Sequence, residues 1–162
     1  MRGPSGAGKS TVSRALRRSI GKGAALVEQD YVRRTLLWEK DRPGALNIAM
    51  LDSIVRLALD AGRHVVLEGI LAADHYGAMM RALIDDHQGI TVCAYLDVPF
   101  AETVRRHGTR SQSAEFTPTD MARWWDTDDK LGCEGEVVVG AASTVDETVA
   151  SLLTAMGSAS RI

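Results

Sequence analysis

Nine residues near the start of the chain constrain its fold more than everything that follows. The run Gly3-Pro4-Ser5-Gly6-Ala7-Gly8-Lys9-Ser10-Thr11 fits the phosphate-loop pattern G-x-x-x-x-G-K-[ST] at every defined position. Such a loop curls so that successive backbone N–H groups point inward at phosphate oxygens. Gly3, Gly6 and Gly8 supply the unusual backbone angles, with Ser5 and Ala7 between them in the same cradle. Lys9 brings a charge to the β- and γ-phosphates and Ser10 offers a hydroxyl to Mg²⁺. Thr11 opens a helix whose N-terminus carries positive partial charge. Gly3 to Thr11 is therefore the expected ATP site. Only Met1 and Arg2 precede Gly3, so the strand that normally enters the loop at mid-sheet is missing. A truncated or misassigned start is expected, with a gap at the sheet centre and reduced stability.

Beyond the loop, apolar strands alternate with amphipathic helices. Helices are predicted over residues 9–20, 47–61, 74–87, 99–107 and 145–156, with a short one starting near Thr117-Pro118. Strands are predicted over 24–28, 63–67, 89–96 and 136–139. Short, almost wholly apolar strands belong to a parallel sheet covered on both faces. The expected fold is three-layered α/β, of the phosphate-loop NTPase type, with four or five parallel strands. Nothing divides the chain, so residues 1–162 form one domain with a lid around 105–130.

Of the 162 residues, 45% are hydrophobic and 25% charged, the balance of a globular chain with a sizeable core. A formal net charge of −2 argues against nucleic acid or an anionic membrane as the main partner. No stretch is apolar and long enough for a bilayer span, and no signal peptide is present. Cys93 reads as a buried thiol and Cys133 as a loop residue. With only these two cysteines and no metal-type spacing, a reducing cytoplasm is expected. Oligomeric state leaves no mark in the sequence.

In parallel sheets ligands bind beyond the carboxyl ends of the strands, which selects Asp30, Glu68 and Asp97. Asp30 is positioned to accept a proton from an attacking hydroxyl or to stand in the outer shell of Mg²⁺ beside Ser10. It also suits the cap of the next helix. Arg33, one turn on, suits bidentate contact with a phosphate or an anionic acceptor. Glu68 closes a buried strand, near the metal or the acceptor, and Gly69 leaves room for a ligand. The run Glu102 to Arg110 leaves a helix for a polar flap, where Arg106 or Arg110 closing over a transferred phosphoryl group stabilises its charge. Arg105 or Arg106 stacks on the adenine. His107 reads as a surface residue. Trp124 and Trp125 point about 100° apart, one toward the core and the other toward an acceptor cleft with Tyr31, Trp38 or Tyr76.

These residues resemble the phosphate-loop small-molecule kinases of the nucleoside and nucleotide kinase superfamily. Gly3 to Thr11 carries the resemblance first. Gln29-Asp30-Tyr31-Val32-Arg33 is similar to the Asp-x-x-Arg element of polynucleotide 5′-kinases and chloramphenicol phosphotransferase-like enzymes. There the aspartate is the general base and the arginine a phosphate contact. Val65 to Leu71 is similar to the strand and loop of uridine kinases, although the Asp-x-Tyr-Tyr element of those enzymes is lacking. The stretch from Glu115 through Trp124-Trp125 to Gly132 resembles bacterial proteins described only as kinases or uridine kinase-like. The resemblance implies an ATP- and Mg²⁺-dependent kinase acting on a hydroxyl of a small molecule. Lys9, Asp30, Arg33, Glu68, Arg106 and Arg110 are its expected catalytic residues, and Arg105 joins the loop in holding the nucleotide. The rival expectations are a polynucleotide 5′-hydroxyl kinase, an ATP-binding regulatory protein without an acceptor, and an inactive kinase.

Overall fold

The computed structural model describes residues 1–108, 117–123, 125 and 129–158. Among these described residues, four strands and six α-helices follow in the order α1 (Lys9–Ile20), β1 (Ala24–Glu28), α2 (Leu46–Asp60), β2 (His64–Glu68), α3 (Ala73–Asp86), β3 (Ala94–Asp97), α4 (Phe100–His107), α5 (Pro118–Arg123), β4 (Val137–Gly140) and α6 (Val145–Ser158). A single π-helical turn, Tyr31–Leu36, follows β1. Its i→i+5 geometry is carried by Leu37 N–H donating to the Val32 carbonyl at 3.0 Å.

All pairing is parallel. β1 lies against β2 from Ala24↔His64 to Glu28↔Glu68, and β3 against β4 from Ala94↔Val137 to Asp97↔Gly140. Met1 and Arg2 join the two pairs. The Met1 amino group donates to the Leu67 carbonyl at 2.8 Å, and Gly69 N–H donates to the Met1 carbonyl at 3.3 Å. On the other side Arg2 N–H donates to the Ala94 carbonyl at 2.8 Å and Leu96 N–H to that of Arg2 at 2.9 Å. The order is β1-β2-(Met1-Arg2)-β3-β4.

Between β2 and β3 lies a cavity of about 660 Å³ bordered by Met1, Leu16, Val66, Leu83, Cys93 and Leu152. It explains a shortened strand. The apolar run from Gly89 predicts extended pairing throughout, yet β3 begins only at Ala94, because residues ahead of it face the cavity.

Hydrophobic stripes on the helices cover both faces of the sheet. On one, Leu51 and Val55 of α2 and Tyr76, Met80 and Leu83 of α3 pack with Val27. On the other, Val12 and Leu16 of α1 meet Val66, Ala94, Val149 and Leu152. Each buried leucine contributes roughly 1.5–3 kcal/mol. Arg2 is only 3% exposed and is accommodated by partners. Its Nε donates to the Leu71 carbonyl at 2.9 Å, its Nη2 to Asp129 Oδ2 at 2.9 Å, and its guanidinium lies 5.9 Å from the Tyr95 ring centre. Asp129 also accepts the Ala73 N–H at 2.7 Å, satisfying the first turn of α3.

Candidate active site

The phosphate loop leaves the sheet after Arg2 and runs into α1. Its glycines are required by packing as well as by curvature. A Cβ on Gly6 (φ +83°) would lie 2.7 Å from the Thr103 carbonyl oxygen, and one on Gly3 would lie 2.7 Å from that of Leu96. The loop is thus seated on β3 and α4. Lys9 is 8% exposed, and its Nζ donates to the Pro4 carbonyl at 2.8 Å, drawn back across the loop.

At the loop mouth the Ser10 hydroxyl donates to Glu68 Oε1 at 2.8 Å. Glu68 is 4% exposed. Burial pushes its carboxyl above the ordinary value, partly offset by the Ser10 hydrogen bond and the Lys9 charge. Glu68, from the end of β2, is therefore the carboxylate that meets Ser10. The carboxylate of Asp30, just past β1, has partners of its own. It accepts from Arg33 Nη2 at 2.8 Å, and Arg34 Nη1 stands 3.7 Å away. It makes no capping bond to the turn that follows, which corrects the capping expectation. Arg33 Nε is buried without a partner.

Arg106 reaches the loop from behind. Its Nη1 donates to the Ala7 carbonyl at 3.0 Å, its Nη2 to that of Ala141 at 2.9 Å, and its Nε to Glu102 Oε1 at 2.7 Å. Hydrogen bonds from Arg105 and Arg106 hold the Glu102 carboxyl down at about 2. Arg106 thereby borders a second cavity, about 250 Å³, with Ala7, Gly8, Thr11, Gly140 and Ser143. The larger cavity has no phosphate-loop residue in its wall, so the smaller one belongs with the site. Arg105 side chain is 70% exposed and turned to Glu102, away from this cavity. Arg110 and Trp124 lie outside the described residues.

Other expectations are revised. Gly69 opens no space for a ligand, because a Cβ there would meet Gln29 Cβ at 2.7 Å. His107 is 4% exposed, not a surface residue. Trp125 packs edge-on against Phe100 with ring centres 5.2 Å apart. Tyr31 and Trp38 are exposed, and Tyr76 is fully buried.

Sequence reading misses the polar network beside Asp30. The Tyr76 hydroxyl lies 2.8 Å from Asp41 Oδ1 and 2.8 Å from Asn47 Oδ1, and it accepts from Gln29 Nε2 at 2.8 Å. Burial and the Asp41 carboxylate push the phenol pKa well up. Nothing in local spacing joins these residues. Glu102, four residues before Arg106, carries the ordinary helical salt-bridge signal.

The sequence model of an AAA domain matches residues 1–129. The chain belongs to this AAA-domain family. Comparison with curated proteins gives no match. Among solved structures, this AAA-domain chain is similar to the APS kinase CysC of Mycobacterium tuberculosis in complex with AMPPNP and APS. The TM-score is 0.71 at 20% identity, over 96% of this chain and 94% of that one. It is also similar to a gluconokinase from Sinorhizobium meliloti 1021, with TM-score 0.66, 16% identity and 98% and 90% coverage. A deoxyadenosine kinase from M. mycoides with bound dATP gives 0.55, 13%, 96% and 97%. At these identities the likeness establishes a fold, that of the phosphate-loop small-molecule kinases. No helix among the described residues is long and apolar enough to cross a membrane.

Proposed function

We propose that this protein is an ATP-dependent kinase that transfers the γ-phosphoryl group to a hydroxyl of a small molecule. One observation carries the reading. A phosphate loop has its Ser10 hydroxyl bonded to a buried strand-end carboxylate, while just past the adjacent strand Asp30 pairs with Arg33. The proteins with similar folds include an APS kinase and a gluconokinase by their descriptions, which supports a small acceptor. The net charge of −2 weighs against a polynucleotide end. The two thiols and the absence of a long apolar helix among the described residues support a cytoplasmic setting.

The triphosphate lies along Gly3 to Thr11, with its base in the 250 Å³ cavity against Arg106. Arg106, anchored on Ala7 and Ala141, takes the adenine-side role in place of Arg105. Ser10 and Glu68 supply hydroxyl and carboxylate oxygens, a hard donor pair that fits Mg²⁺, which takes one or two protein oxygens beside phosphate. When bound, the ion neutralises charge on the phosphates. Asp30 accepts the acceptor's hydroxyl proton as the new O–P bond forms. The bond to the β-phosphate oxygen breaks, and ADP leaves with its electron pair. Lys9 releases Pro4 and neutralises the moving phosphoryl group. Arg33 holds the Asp30 carboxylate in position and contacts phosphate.

The test is an acceptor screen reading ATP-to-ADP conversion, run with the wild type and Asp30→Asn. The variant is expected to keep its ATP affinity while kcat falls about 10²-fold or more. Near-normal turnover in Asp30→Asn would reject Asp30 as the base. Calorimetry with no uptake of MgATP by the folded protein would reject the kinase reading itself.

A further inference from the structure

Cys93 and Cys133 are 40 residues apart in the chain, and the fold brings their sulfurs to 3.0 Å. A disulfide requires about 2.05 Å, so an approach of about 1 Å separates this contact from a bond. Both thiols are half-buried. Their backbones are already fixed relative to each other. The Cys93 carbonyl accepts the Val137 N–H at 2.8 Å, immediately before the β3–β4 register begins, and the Cys133 carbonyl accepts the Glu136 N–H at 3.1 Å. The turn bearing Cys133 is closed by Glu136, whose carboxylate accepts the N–H groups of Leu131 and Gly132 at 3.3 and 3.0 Å. Gly132 and Gly135 take positive φ there, which lets the turn fold back onto the strand.

From this arrangement we propose that Cys93 and Cys133 form an oxidative modification site, a dithiol that a small-molecule disulfide converts to an intramolecular Cys93–Cys133 bond. The order of events follows from the environment. Burial, then the hydrogen bond and charge of Cys133, push the Cys93 thiol up to about 12, so Cys93 stays protonated and the first attack falls to Cys133. The Cys133 thiolate attacks one sulfur of glutathione disulfide, forming a mixed disulfide and expelling one glutathione thiolate. Cys93 then loses its proton to solvent and attacks the Cys133 sulfur, expelling the second glutathione. Two protein thiols are oxidised and one small disulfide is reduced to two thiols, so electrons and protons balance. The new bond spans residues 94–132 and ties the entry to β3 to the entry to β4, a closed loop that includes α4 and α5.

The experiment treats the reduced protein with glutathione disulfide and follows it by thiol titration, intact mass and peptide mapping under non-reducing conditions. Free thiols should fall from two to none in a monomer lighter by two hydrogens, with one cross-linked Cys93–Cys133 peptide pair. The melting temperature of the oxidised form should rise by roughly 5–15 °C and return with dithiothreitol, as closing a loop of this length predicts. Cys133→Ser should show neither the cross-link nor the rise. Glutathione adducts that persist on the wild type, disulfide-linked dimers, or two thiols still titratable after oxidant would each overturn the proposal. The wild-type mass and peptide results decide it even if the variant folds poorly.

Discussion

The proposed nucleotide side and the proposed acceptor side of the site are built by different means. On the nucleotide side, a contiguous loop presents main-chain groups, glycines make its seat possible, and Lys9 lies back on its own loop. On the acceptor side, side chains from four separate segments meet. Gln29, Asp41, Asn47 and Tyr76 share one buried hydroxyl, and Asp30 is held by Arg33. Under the proposed function, the main-chain cradle serves any triphosphate, and the side-chain network beside Asp30 is where acceptors are told apart.

That contrast is sharpest in the variants it separates. Lys9→Ala should have the largest effect, lowering kcat/KM by roughly 10³-fold or more in steady-state assays, since it removes the charge closest to the transferred group. Arg106→Ala should come next, raising KM for ATP about tenfold with a smaller change in kcat, because it removes a positioning contact and leaves the chemistry in place. If it instead lowered kcat alone, Arg106 would belong to the transition state and the division would fail.

Glu68 yields a pH test. Its carboxyl is raised above 4.5 by burial. Between that value and its folded value the folded state holds the proton better than the unfolded chain. Stability therefore falls as pH rises through this window. Mg²⁺ activation should move the opposite way, weakening as pH falls and Glu68 protonates. Glu68→Gln should flatten both profiles, read by melting curves and Mg²⁺ titration. The smallest effect belongs to Tyr76→Phe. Losing the shared hydroxyl should cost about 1–3 kcal/mol of stability and raise the acceptor KM without touching that for ATP. An equal change in both KM values would merge the two sides.

The nucleotide side was legible in the sequence because its geometry is local. Gly3 to Thr11 implies a cradle by spacing alone, and α1 and β1 fall where their apolar patterns predict. Layering followed from strand–helix alternation. The carboxylates were legible only from their place along the strands, Glu68 closing β2 and Asp30 two residues beyond β1. The bond between Ser10 and Glu68 spans 58 positions and that between Gln29 and Tyr76 spans 47, so tertiary folding alone creates them. Gly69 shows the same limit: its lack of a side chain serves Gln29, a neighbour no local pattern reveals. The approach of Cys93 to Cys133 was illegible for this reason too.

Met1 and Arg2 act as a waist between two half-sheets. Where, among the described residues, only these two carry main-chain hydrogen bonds from one half-sheet to the other, the halves need not open as one cooperative unit. Amides of β1 and β2 would then report a different opening free energy in deuterium exchange from those of β3 and β4.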